Sequence, residues 1–157
     1  MKLDSKILEK LAIRTISYLV EDLGMKSVEN NFHIKQVDFI EYKKLSSFIS
    51  LSLDLKGTLF MSVDNSFANE MVKGAIYGDV SKDVLDELSA ENLSETLNIV
   101  VGNIISQIDI IKDGGKLEIS TPTLVDDKNK LLKKRYDTIY ICKIIHNKEE
   151  MILGYFI

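Results

Sequence analysis

The chain has 157 residues, 45% hydrophobic and 28% charged, with one proline and eight glycines; this composition excludes a disordered or fibrous protein, and the length fits one domain over residues 1–157. A formal net charge of −4 removes the general phosphate attraction on which nucleic-acid binding rests, so no nucleic-acid partner is expected. No apolar run approaches the roughly 20 residues that cross a bilayer, which leaves no membrane partner and a cytoplasmic location as the expectation.

Asp4 or Ser5 is placed to cap a first helix to about Asp22, because Ile7, Leu8, Leu11, Ile16, Leu19 and Leu23 recur near the helical period and Gly24 stops it. Phe32 to Tyr42 is rich in β-formers and reads as a first strand. Ile49, Leu51, Leu53 and Leu55 alternate with polar residues, Lys56-Gly57 supplies a turn, and Leu59, Met61 and Val63 alternate on the return, a half-buried antiparallel hairpin. Asp64, Asn65 or Ser66 caps a short helix through Phe67, Ala68, Met71, Val72 and Ile76, closed by Gly78. The longest helix is expected from Asp86 to about Ile111, ended by Asp113-Gly114-Gly115. Leu117 to Val125 is a strand interrupted by Pro122, hence at an edge or bulged. Asp126 to Arg135 reads as a charged loop, followed by strands over Tyr136 to Ile145 and Met151 to Ile157 joined by a polar turn. The sum is an α+β architecture with an antiparallel sheet packed against helices.

On a helical wheel Glu91, Glu95 and Gly102 fall within about 60° of Asn98, with Glu87 and Asp109 nearby, while Leu93, Leu97, Val100, Ile104, Ile108 and Ile111 gather opposite. The helix therefore docks by its apolar side and turns a Glu/Asn stripe outward, with Glu95 and Asn98 neighbours across one turn. An acidic outer face alone is ordinary solvated surface. Two residues set this one apart: Asn98 is a middling helix former at mid-helix, and Gly102 costs about 1 kcal/mol relative to alanine. A gap beside an exposed amide suggests close approach by another molecule's backbone.

Glu95-Thr96-Leu97-Asn98-Ile99-Val100-Val101-Gly102-Asn103, followed by Leu117-Glu118-Ile119-Ser120-Thr121-Pro122-Thr123, resembles the Glu-x-x-Asn, Gly-Asn and Ser-x-Pro signature of the CheX branch of the CheC/CheX/FliY chemotaxis phosphatases. The hairpin around Lys56-Gly57, the Phe67-Ala68 helix and the Ile76-Tyr77-Gly78 stop are similar to that family's segments, so the likeness runs from about Ser47 to Val125. It departs in carrying Glu91 where CheC-type relatives have Asp or Ser, and in a proline one residue further along. The first helix offers Ser5, Glu9 and Ala12 at the spacing of a second site, with alanine where the amide would stand; one site per chain is expected.

The resemblance implies a CheX-like fold and dephosphorylation of a CheY-type response-regulator receiver in chemotaxis or two-component signalling. Asn98 would orient the attacking water, Glu95 would dock on the receiver's lysine, and Glu91 and Gly102 would belong to the partner-binding surface. It further implies a homodimer, no cofactor in this chain, and Mg²⁺ in the partner receiver. The alternative is a non-catalytic receiver-binding or assembly module using the same helix. Other features carry less. Cys142 reads as a buried strand residue, the run Lys128, Lys130, Lys133, Lys134 and Arg135 as solvated surface, and Gly114-Gly115 as a helix stop; His33 and His146 lack matched partners.

Overall fold

A computed structural model describes residues 3–76, 78–126, 130–132 and 138–157 of the chain. The elements, in chain order, are α1 (Leu3–Ser17), β1 (Lys35–Gln36), β2 (Phe39–Glu41), β3 (Leu45–Leu53), β4 (Gly57–Val63), α2 (Asn65–Ala75), α3 (Lys82–Ile104), α4 (Asp109–Lys112), β5 (Leu117–Ile119), β6 (Thr123–Asp126), β7 (Lys130–Leu132), β8 (Ile139–His146) and β9 (Glu149–Phe156). Seven strands form one sheet in the order β1-β8-β9-β4-β3-β5, with β6 also on β3, and β2 pairs with β7 in a separate ribbon. Every pairing is antiparallel, as the α+β reading requires.

The pleat divides the sheet's side chains between two apolar clusters. Ile49, Leu51, Leu59, Met61, Leu153 and Tyr155 face the helices, joined by Leu8 and Leu11 of α1, Phe67 and Met71 of α2, and Leu93, Leu97, Val100 and Ile104 of α3. On the other face Phe60, Ile139, Ile141, Ile152 and Phe156 pack with Ile40 of β2. On β3 the expected alternation holds, with Ile49 and Leu51 buried and Ser50 and Ser52 exposed, except that Leu53, expected inside, is exposed. β4 is not half-buried as expected, since Phe60 and Ser62 are buried along with Leu59 and Met61, because the ribbon strand β2 brings Ile40 against the second face.

Several boundaries move, each for a local reason. The first helix already includes Asp4 and Ser5, and its last turn, Tyr18–Asp22, is π-helical before Gly24 takes φ +67°. The expected strand from Phe32 to Tyr42 is two short pieces, β1 on β8 and β2 on β7. Gly78, at φ +94°, follows α2, which stops at Ala75. The longest helix starts at Lys82, not Asp86, because Ser81 caps it by accepting from the Val84 N–H. It does not run on to Ile111: a 3₁₀ turn at Ile105–Gln107 and extended backbone at Ile108 precede α4. A continuous helix would hold Ile105 and Ile110 roughly 100° or more off the buried stripe, whereas the break lets both pack on the core.

Pro122 splits the next strand in two. β5 pairs Ile119 with Leu51, β6 pairs Thr123 with Phe48, and three residues between them oppose two on β3, a bulge on an edge strand. Ser120 holds the register, since its N–H donates to the Ser50 carbonyl (2.9 Å) and its Oγ accepts from the Ser50 N–H (2.9 Å). The segment read as a charged loop contains β7; Lys128, Lys133, Lys134, Arg135 and Tyr136 lie outside the described residues. Asn147 and Lys148, at φ +49° and +66°, make the two-residue turn between β8 and β9. Cys142 is buried on β8, where desolvation raises its thiol to about 12, so it is a core residue.

Gly154 of β9 faces Phe60 of β4, and a Cβ there would run into the Phe60 ring. Both neighbours are central strands with no room to part. Gly154→Ala should destabilise the chain by about 1–3 kcal/mol through overpacking, read as a lower urea midpoint with an unchanged slope.

Candidate functional site

The outward stripe of α3 is where the sequence reading put it. Glu87, Glu91, Glu95, Asn98 and Gly102 are all exposed, and Leu93, Leu97, Val100 and Ile104 are buried. Asp109 is not part of it, since the break at Ile105–Ile108 puts this residue on α4, where it pairs with Lys6 at 3.8 Å. Neither Glu95 nor Asn98 has a hydrogen-bond or ion-pair partner among the described residues. A carboxylate and an amide with no internal partner keep their full capacity for another molecule. A Cβ built on Gly102 meets nothing within 4 Å, so nothing among the described residues demands glycine there.

Beneath this exposed stripe the helix is fixed on three sides by polar ties added to its apolar contact. Toward α2, Asn69 Nδ2 donates to Asp86 (3.1 Å), and the Ser89 hydroxyl lies 2.7 Å from Asn69 Oδ1 and 2.6 Å from the Leu85 carbonyl. Toward the sheet, Ser94 Oγ meets Ser47 Oγ of β3 at 3.1 Å. Toward α1, Arg14 Nε donates to Asn103 Oδ1 (2.7 Å) while its other nitrogens reach Ser17 (3.1 Å) and Asp22 (3.4 Å). Asn103, the last residue of the Gly-Asn motif, is exposed and accepts from Arg14 of α1 at the surface, beside the stripe.

Nothing in the sequence singles out Tyr18. It sits on the π-helical turn after α1, and its phenol is raised above the ordinary 10.0: burial is the main cause, Thr96 and Arg14 pull it down, and the Asp22 and Glu95 carboxylates push it up. The Glu95 charge is therefore felt at the junction of α1 and α3. A lone tyrosine in an amphipathic helix carries no mark of this; only the packing reveals it. The remaining candidates lie elsewhere: His146 is buried against Phe67 at the β8–β9 turn, and His33 is exposed near β1. Ala12 is buried, so α1 presents no counterpart of Asn98. Among the described residues no cluster of three His, Cys, Asp or Glu side chains could hold a metal ion, and no helix is long and apolar enough to cross a membrane.

A family model for the chemotaxis phosphatase CheX matches residues 45–145, which include the sheet's central hairpin and all of α2 and α3. No curated protein sequence matches the chain. Among solved structures, the chemotaxis protein CheX from Desulfovibrio desulfuricans is 14% identical with a TM-score of 0.72, covering 96% of this chain and 97% of that one. A CheC-like superfamily protein from Shewanella sp. PV-4 is 15% identical with a TM-score of 0.74, covering 99% and 98%. The CheX of the CheX–CheY–BeF₃–Mg²⁺ complex from Borrelia burgdorferi is 17% identical with a TM-score of 0.65, covering 94% of each chain.

Tyr18 supplies a test of the α1–α3 junction. Its folded-state value lies above the unfolded one, so unfolding above pH 10 releases a proton, and the stabilising contribution present below pH 10 is lost as pH rises through the folded value. Relative to Tyr18→Phe, wild-type stability should hold steady from about pH 7 to 9 and fall above about pH 10. Denaturant titrations with phenolate absorbance would check this; a difference independent of pH would show that folding does not raise the phenol.

Proposed function

The chain belongs to the family of the chemotaxis phosphatase CheX, and from that membership we propose that it binds a phosphorylated CheY-type receiver domain and accelerates hydrolysis of the receiver's aspartyl phosphate. The observation that carries this reading is the exposed Asn98, without a partner among the described residues, beside Glu95 on a helix tied down on three sides.

An amide has no usable proton equilibrium near neutral pH, so Asn98 is not a general base. What it does is accept from and donate to one water at fixed geometry. Phosphoryl transfer asks the protein for in-line placement and charge stabilisation more than for covalent chemistry, and water-orienting amides serve GTPases in this way. The water oxygen attacks phosphorus, the bond to the receiver's aspartate breaks with the carboxylate as leaving group, and the water's proton leaves with phosphate or to solvent. The receiver brings its own Mg²⁺ and lysine for the charge on the phosphoryl group; this chain contributes no cofactor.

Glu95 has a different part. Placed about 4 Å from a phosphoryl oxygen it would be repelled by roughly 4 kcal/mol at an effective dielectric near 20, so it needs a cation. Pairing with the receiver's lysine supplies one and turns the helix so that Asn98 enters the phosphorylation pocket. Glu91, one turn before Glu95, extends the acidic surface, and Gly102, one turn after Asn98, lets the receiver's backbone come close. A partner of this kind places the chain in the cytoplasm. The reading includes a homodimer, whose second copy would cover the outer edge at β5 and β6, where Ile119 and Leu124 are exposed.

Asn98→Ala should leave receiver affinity within a few-fold of wild type and lower accelerated phosphate loss by about 10²–10³-fold. The check is the decay of phosphorylated receiver with each variant, and equal acceleration by both would overturn the catalytic assignment. Glu95→Lys should instead weaken binding by at least about ten-fold, since a cation then meets a cation. A titration showing unchanged affinity would eliminate the lysine contact.

A further inference from the structure

Between the C-terminal half of α2 and the first half of α3 runs a groove of about 320 Å³, lined by Val72, Ala75, Ile76, Leu88, Glu91, Asn92 and Glu95. Its floor is aliphatic and its rim carries two carboxylates. One of these is Glu95, so the groove continues the face already assigned to docking. Its size falls at the low end of small-molecule sites, about 300–1,000 Å³, but it lies open along the helix face, which suits a protruding side chain better than a free ligand. Val84, one turn before Leu88, is 37% exposed and extends the apolar surface.

We propose that this groove seats an apolar side chain which the docked receiver presents beside a basic one, and that it determines which receivers are accepted. The proposal rests on the phosphatase reading for the identity of the partner. The charge pattern argues for the pairing of chemistries: an aliphatic floor excludes a charged group, while Glu91 and Glu95, exposed and with no ion-pair partner among the described residues, attract a lysine or arginine next to the inserted side chain. The same charges argue against a second copy of this chain as occupant, because it carries a net −4 and would bring its own acidic stripe.

The geometry separates two jobs on one helix. Asn98 lies one turn beyond Glu95, outside the groove, so filling or polarising the groove acts on affinity, while removing the amide acts on turnover. Ala75 is exposed and Leu88 is half-buried, so both tolerate substitution without opening the core. Ala75→Gln fills the groove, and Leu88→Asn makes its floor polar at similar size.

The experiment titrates a CheY-type receiver, activated with beryllofluoride and Mg²⁺, against wild type, Ala75→Gln, Leu88→Asn and Asn98→Ala, and follows phosphate loss from the phosphorylated receiver over the same concentrations. Thermal melts first confirm that the variants are folded. The expected result is a dissociation constant about ten-fold higher for Ala75→Gln and for Leu88→Asn, a matching rise in half-saturation, and a limiting rate that falls far less. Wild type that binds and turns over, with both groove variants titrating identically to it, overturns the groove alone. If wild type binds without turnover, the catalytic reading fails and the dissociation constants still decide the groove; if it does not bind, both fail. Groove variants that change the sedimentation of the chain by itself would mark the groove as a contact between copies and overturn the proposal.

Discussion

The arrangement depends on α3 being immobile while one of its faces stays bare. Six aliphatic residues of this helix, Leu85, Leu93, Leu97, Val100, Val101 and Ile104, are buried, and at about 1.5–3 kcal/mol each, as an upper bound, they anchor it far more strongly than any polar contact could. Apolar contact is not directional, however, and leaves rotation about the helix axis loosely defined. The ties to Asn69, Ser47 and Arg14 supply direction, because each holds two named polar groups at hydrogen-bond distance. Burial thus fixes the helix in place, and the three polar contacts fix its rotation.

Most of this face is legible in the sequence because a helix converts spacing into direction at a known angle per residue. Glu91, Glu95, Asn98 and Gly102 are exposed and Leu93, Leu97, Val100 and Ile104 are buried as the wheel requires. The same logic fails where the period is interrupted: Ile108 and Ile111 fit the stripe, yet nothing in their spacing announces the 3₁₀ turn before them. Contacts between distant segments are also beyond a wheel. Arg14 and Asn103 are 89 residues apart, and the α2–α3 groove exists only once two helices have been laid side by side. In the sheet, alternation revealed one apolar face of β4, while Phe60 on the other gained a core only when Ile40 covered it.

The Ser-x-Pro segment shows how a motif can matter without touching the chemistry. Pro122 cannot donate to a ladder, and the bulge it forces would leave the Ser50 N–H without its usual acceptor; Ser120 Oγ takes that place. The bulge divides β5 from β6 and keeps both registered on β3. That strand in turn meets α3 through Ser47 and Ser94. The motif is thus connected to the stripe through the sheet edge on which the helix rests.

Why an asparagine suits the proposed chemistry follows from the same constraint. Aspartate would bring a negative charge to a phosphoryl group and be repelled as Glu95 would be. Glutamine offers the same donors and acceptors on a longer stem, with another torsion to immobilise before a water could be held, and side-chain ordering costs grow with each freely turning bond. A short neutral amide on a rotationally fixed helix leaves little to be ordered when the partner arrives. Any rate gain from positioning would then draw on order established when the chain folded.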